Sequence, residues 1–220
     1  MTDLAEWGTT VGTLVLAGAT FVSIRSSNRS ARIAERALLA GQRPLLVAAR
    51  REDPAQEIQF ADGRVLECLS SEALFLYDKE IIYLATPLRN AGSGLAQLQG
   101  YRLDPEQADR VQTDPLGTAR HRRGGQAPDP ASFVPQQRDL YIASGETGFW
   151  QAALRDPSSP SFKAVQQALD SRGRLTVDLL YGDLEAGQRT ITRFVLLPNP
   201  GGSWRCDVAH HWRTTASNES

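Results

Sequence analysis

A chain of 220 residues has room for one ordinary domain plus an accessory segment, enough to bury a real core. Its formal charge of -1, from 24 Lys and Arg against 25 Asp and Glu, excludes the global basic footprint of a nucleic-acid binder. Two cysteines, Cys68 and Cys206, are too few for a disulfide scaffold.

Residues 1–6 form a short tail with Asp3 and Glu6 and no Lys or Arg. Trp7 to Ile24, WGTTVGTLVLAGATFVSI, is an uncharged apolar run of 18 residues. As a helix it reaches about 27 Å, close to the thickness of a hydrocarbon core. Its Thr and Ser hydroxyls can bond back to helix carbonyls, and Trp7 suits the headgroup layer at one edge. Arg25, Arg29, Arg32 and Arg36 follow the run, so the positive-inside rule puts the N-terminus outside and the remainder in the cytoplasm. The expected location is the inner (plasma) membrane, crossed once. A cleaved signal peptide would carry its basic residues before the apolar core, and a soluble core helix would keep a polar face; the run has neither. Gly8 and Gly12 form G-x-x-x-G, which lets two helix backbones approach and offers a homodimer as one packing outcome.

Residues 25–43 stay helix-favouring until Gly41 and Pro44 stop them, and read as a juxtamembrane stalk. From residue 44 to 213 the pattern turns to short strands of period two. Leu45–Ala49 is the first, and Ile58–Phe60 with Val65–Leu69 flank the hairpin signal Asp62-Gly63. Leu74–Tyr77 and Ile81–Leu88 follow. The second is apolar on both faces, as a central strand is, with Pro87 marking its end or a bulge. Leu95–Leu103 comes next, and residues 105–135, rich in Pro and Gly, read as a long loop with a basic tip at His121, Arg122 and Arg123.

Leu140–Ala143 and Phe149–Leu154 read as a hairpin around Gly145. A helix then starts at Ser159-Pro160, carries Phe162, Val165 and Leu169 on one face, and ends at Gly173. Leu175 to Tyr181, Thr190 to Leu197 and Trp204 to Trp212 complete the strands, and residues 214–220 read as a disordered tail. The fold expected is mainly β: a transmembrane helix and stalk, then a two-layer antiparallel β-sandwich of Ig-like layout with one amphipathic helix. A closed barrel is the alternative. The spacing of Cys68 and Cys206 does not fit the bridge of a true immunoglobulin domain.

Candidate chemistry is sparse. Gly92-x-Gly94 lacks the third glycine and following helix of a phosphate loop, and reads as a turn using glycine's positive φ. Cys206 and His210 are the catalytic candidates: strict alternation puts Trp204, Cys206, Val208, His210 and Trp212 on one strand face, where a thiol and an imidazole make a nucleophile pair or part of a zinc site. The Trp and Val beside them are what a core-facing strand shows, and no other ligand pair completes a site. Asp178, Asp183 and Glu185 read as solvated acids near strand ends. No motif calls for a cofactor or a metal.

Four stretches, Trp7 to Ile24, Arg29 to Pro44, Arg89-Asn90-Ala91-Gly92-Ser93-Gly94-Leu95-Ala96 and Tyr181-Gly182-Asp183, resemble a broad and poorly characterised group of bacterial single-pass membrane proteins. The resemblance implies a short N-terminal tail, one membrane span, an Arg/Ala helix and a cytosolic sandwich, and carries no activity. The function expected is a membrane-anchored interaction module that binds a partner protein or ligand through loops or a sheet edge. A membrane-bound enzyme using Cys206 and His210, or an accessory subunit of a larger membrane complex, are the alternatives. The partners expected are the lipid bilayer and a protein or a second copy of the chain, with no nucleic acid.

Overall fold

The computed structural model describes residues 20, 21, 23–35, 37, 41–104, 112–113, 119–120, 126–138, 140–184 and 188–214. The chain divides into two units, Met1–Gly41 and Gln42–Ser220. In the first, residues 23–35 are helical and their side chains are exposed. Among the described residues no helix is long and apolar enough to cross a membrane. The run 7–24 lies outside them except for Thr20, Phe21, Ser23 and Ile24.

The second unit is mainly β and antiparallel. Its strands in chain order are β1 (Leu46–Ala48), β2 (Gln56–Gln59), β3 (Val65–Cys68), β4 (Glu72–Asp78), β5 (Ile81–Asn90), β6 (Ala96–Asp104), β7 (Gln112–Thr113), β8 (Ala119–Arg120), β9 (Val134–Pro135), β10 (Tyr141–Ile142), β11 (Thr147–Leu154), β12 (Leu175–Gly182), β13 (Arg189–Pro198) and β14 (Trp204–Thr214). One helix, Pro160–Asp170, lies between β11 and β12. Ten strands join in the order β1-β5-β4-β14-β13-β12-β6-β10, with β11 on the far side of β5 and β9 beside β10 on β6. Between β4 and β14 the ladder is only two pairs long, Ala73 with Trp204 and Glu72 with Arg205.

That narrow join lets the sheet turn back on itself. Leu84 and Leu88 of β5, Trp150 of β11, Val177 and Leu179 of β12 and Phe194 of β13 share one buried cluster. The Tyr101 ring of β6 meets the Trp150 ring edge-on at 5.3 Å. The helix closes the cluster with Phe162 and Val165, and its first turn is capped by the Ser159 hydroxyl, which accepts from the Phe162 amide. Each such large apolar side chain contributes about 1.5–3 kcal/mol on burial.

A second cluster explains why β5 is apolar on both faces. The β2–β3 hairpin lays Ile58, Phe60 and Cys68 over Tyr83 and Ala85, the outer side chains of β5. The hairpin turns at Gly63, whose φ of 84° suits glycine. Between β4 and β5 the turn is Lys79-Glu80, both left-handed, which matches the twist of a tight hairpin.

Four expectations are corrected. The chain does not stop at Pro87: β5 runs unbroken to Asn90. On its β4 side, pairing ends at Ala85 and resumes with β1 at Leu88, so the missing N–H of Pro87 falls in a gap where no partner needs it. The hairpin at Gly145 is not one: β10 pairs with β6 and β11 pairs with β5, so the turn carries the chain from one layer to the other. The stretch 105–135 is not a plain loop among its described residues, since it holds the β7–β8 pair, a 3-10 turn at Pro130–Ser132 and strand β9. Finally, β14 includes Thr214, one residue into the expected tail.

Candidate functional site

The ten-strand path has two ends, and they meet without pairing. Among the described residues β11 pairs with β5 and with no other strand, and β9 likewise with β6. Between them lies an open cleft of about 220 Å³. Its floor and walls come from Phe60 and Ala61 of the hairpin, Tyr101 of β6, Val134 to Arg138 after the 3-10 turn, Gln151 to Ala153 of β11, and Arg155. One side-chain bond spans the seam, and another ties β11 to the β2–β3 hairpin. The Gln136 amide donates to the Gln151 carbonyl at 3.5 Å, and the Gln151 amide donates to the Gln59 carbonyl at 3.3 Å.

One wall is fixed by charge. Asp62, at the hairpin turn, accepts from the Tyr83 hydroxyl at 2.6 Å and from Arg155 at 3.0 Å. The Tyr83 bond foremost holds the Asp62 carboxyl below its ordinary value against the opposing effect of burial, with the Arg64 amide and the Arg155 guanidinium adding to it. The same bond, with burial, raises the Tyr83 phenol. Arg64 pairs with Asp78 and lies over the Tyr83 ring, 5.2 Å from its centre. Across the cleft the Tyr101 phenol is raised by burial. Polar groups on the lining are the amides of Gln136, Gln137 and Gln151 and the guanidinium groups of Arg138 and Arg155; no carboxylate lines the cleft among the described residues.

The catalytic candidates do not come together. A bulge between Arg193 and Phe194 on the β13 register sets Val208 opposite Phe194 but His210 opposite Arg193, leaving Ala209 as the extra residue. Trp204, Cys206 and Val208 therefore face the core, whereas His210 and Trp212 turn to the other face. There the Arg193 guanidinium stacks on Trp212 at 4.9 Å, and His210 packs on the same indole. Cys206 is a free buried thiol whose pKa burial pushes strongly up, and burial pushes Cys68 up to about 12. Neither is a nucleophile at neutral pH. Among the described residues no His, Cys, Asp and Glu set gathers to hold a metal.

The bulge instead sets His211 on the Thr192 side of β14, where it stays solvent-exposed at its outer edge. Its Nδ1 lies 2.8 Å from the Thr192 hydroxyl, which is 2.8 Å from the Tyr181 hydroxyl. The Leu46 amide donates to that tyrosine oxygen at 3.0 Å. An amide can only donate, so the arrangement that gives the Tyr181 proton an acceptor runs from Tyr181 to Thr192 to His211, with Nδ1 accepting. Burial, then the neighbouring His210, lowers the His211 pKa.

Asp178 is not a solvated acid. It is fully buried, accepts two bonds from Arg193 at 2.6 and 2.7 Å, and takes a third from Arg102 at 3.3 Å. Asp183 is a turn acid that accepts from the Gln188 amide at 3.2 Å. Glu185, Trp7, Gly8, Gly12, Arg36 and the basic tip at 121–123 lie outside the described residues. Arg25, Arg29 and Arg32 are exposed on the helical stretch.

The φ values of Gly92 and Gly94 are not left-handed, so these glycines do not supply the positive-φ turn expected of them. Their role is close approach: a Cβ on Gly94 would land on the Gln42 carbonyl oxygen, and one on Gly92 on that of Arg43. Asn90, fully buried, organises the junction. Its side-chain oxygen accepts from Leu45 and Gly92, and its amide donates to Gly94 and Ile142. Arg43 donates to Gln188 at 2.7 Å. The Arg-Pro, RNAGSGLA and Tyr-Gly-Asp stretches thus converge where the chain enters the β domain.

The seam itself escaped sequence reasoning, because its residues come from five separate stretches and none carries a motif. Its one local sign is Pro135 beside Gln136-Gln137, a proline next to two amides. No protein-family model, curated protein or solved structure matches the chain.

Proposed function

We propose that the chain is a membrane-tethered binding module. The uncharged run 7–24 anchors it in the inner (plasma) membrane with the N-terminus outside, and the β domain works in the cytoplasm as a two-layer, Ig-like sandwich. The arginine-rich flank after the run, with Glu35 its one acid, supports the orientation. The shared core between the two halves of the sheet, and the lack of pairing between β9 and β11, favour a sandwich over a closed barrel. The seam carries the functional reading: it is an open cleft with convergent amide and guanidinium groups at a sheet edge, where domains commonly accept partners.

Carbonate-washed membranes and protease applied to intact cells test the anchor. The protein should stay in the pellet, and its C-terminal domain should resist digestion until cells are lysed. For the seam, photo-crosslinkers at Val134 and Gln137 should trap one recurring partner that a crosslinker at Lys79, a turn residue outside the cleft lining, does not. That partner, purified, should bind the full chain and lose at least tenfold in affinity on Gln137→Trp. Equal trapping from Lys79, or no loss on Gln137→Trp, defeats the seam reading.

A further inference from the structure

The chemistry of the seam narrows what it takes, on the premise that it is the binding place proposed above. A cleft of about 220 Å³ is below the roughly 300–1,000 Å³ of sites that enclose a whole small-molecule ligand, and it is open along a strand. The Gln151 carbonyl points to Gln136 across the seam, away from β5, so alternation puts the backbone polar groups of Phe149 and Ala153 on the same side. Among the described residues no strand pairs with β11 there. The opposite edge is blunted, since β9 is two residues long and contains Pro135, which has no N–H to offer.

Charge supplies the third constraint. Arg155 shares its guanidinium with Asp62, but Arg138 lines the cleft, is exposed, and makes no ion pair among the described residues. An Arg fork is matched in shape by a carboxylate, which accepts two parallel bonds from it.

We infer that the seam accepts an extended polypeptide segment as an added strand along β11, with one Asp or Glu side chain held by Arg138. The ladder to β11 supplies affinity in any sequence, and the arginine supplies selection. Val134, exposed on β9, offers an apolar contact to a β-branched neighbour on the incoming strand.

The test uses the full chain in lipid nanodiscs and a phage-displayed library of random octapeptides. Enriched peptides should alternate β-branched residues and carry Asp or Glu at one fixed position. A synthetic peptide from that set should bind at least tenfold more weakly when the acid becomes its amide, or when the protein carries Arg138→Gln. Gln137→Glu, an exposed change that sets a carboxylate beside Arg138, should weaken it too, and Arg138→Lys should restore part of the loss. Amide exchange at Ala153 should slow at least tenfold in the complex.

Enriched peptides with no acidic position, indifferent to Arg138→Gln, overturn the carboxylate assignment while leaving the seam as the binding place. Binding without slowed exchange in β11 overturns strand addition. Failure to enrich any peptide overturns both, and the crosslinks from Val134 and Gln137 then decide separately whether the seam binds a partner at all.

Discussion

Thr192 and His211 face each other across the β13–β14 ladder with hydroxyl and Nδ1 2.8 Å apart, and a partner for every proton behind them, back to Leu46 on another strand, requires that Nδ1 accept. A protonated His211 has no acceptor at Nδ1, so Thr192 would have to reverse and leave the Tyr181 proton without a partner. Burial and the neighbouring His210 lower the His211 pKa from its ordinary 6.5. For a base held neutral in the fold, the unfolded chain takes up the proton first. Stability is therefore complete above pH 6.5 and declines as pH falls from there toward the folded value. The urea midpoint should drop between pH 7 and pH 5, and His211→Gln should flatten that slope.

A second, more acidic transition comes from Asp62 and Asp78. The Tyr83 hydroxyl foremost holds the Asp62 carboxyl low, and the Arg64 side chain foremost holds the Asp78 carboxyl low. Carboxylates with depressed folded values stabilise above their ordinary 3.8, and that contribution is lost as pH falls through the folded value. Tyr83→Phe removes the bond to Asp62 and should shrink the loss of stability below pH 4, read as a smaller fall in urea midpoint than wild type shows.

Asp178→Ala should be the most damaging single change on the outer face of β12. It leaves the buried Arg193 without its two-bond acceptor and Arg102 without its 3.3 Å contact. Breaking one side of a buried ion pair costs about 3–5 kcal/mol. Chemical denaturation of the detergent-solubilised chain checks this. Replacing both partners, Asp178→Leu with Arg193→Met, should recover much of the loss.

Gly94→Ala should destabilise by about 1–3 kcal/mol, the usual range for overpacking, because its new Cβ meets backbone rather than a movable side chain. Gly201→Ala is the control, since nothing lies within 4 Å of its Cβ and its φ is ordinary. A thermal shift in the first and none in the second distinguishes close approach from general loss of glycine.

Much of the strand pattern was legible because each signal was local. Asp62-Gly63 marks the β2–β3 turn, Ser159-Pro160 the helix start, and alternation from Leu175 to Tyr181 the inner face of β12. What was not legible depends on a partner strand. Ala209 has nothing in its chemistry to show that it is the extra residue of a bulge, yet it sends His210 to the face opposite Cys206. Pro87 breaks strands in general, and survives here only because β4 and β1 leave a gap beside it. Asp178 looked like a surface acid until Arg193, 15 residues on, was placed against it.

Cys68 and Cys206 are both enclosed, one under the β2–β3 hairpin and one between the layers. Alkylating reagents added to the native protein should find nothing to modify, so any labelling counts molecules that have opened. A new cysteine placed at an exposed position such as Gln137 or Lys79 then becomes the single addressable handle for a dye or spin label, and the protein can be outfitted for distance measurements without first removing its own sulfur.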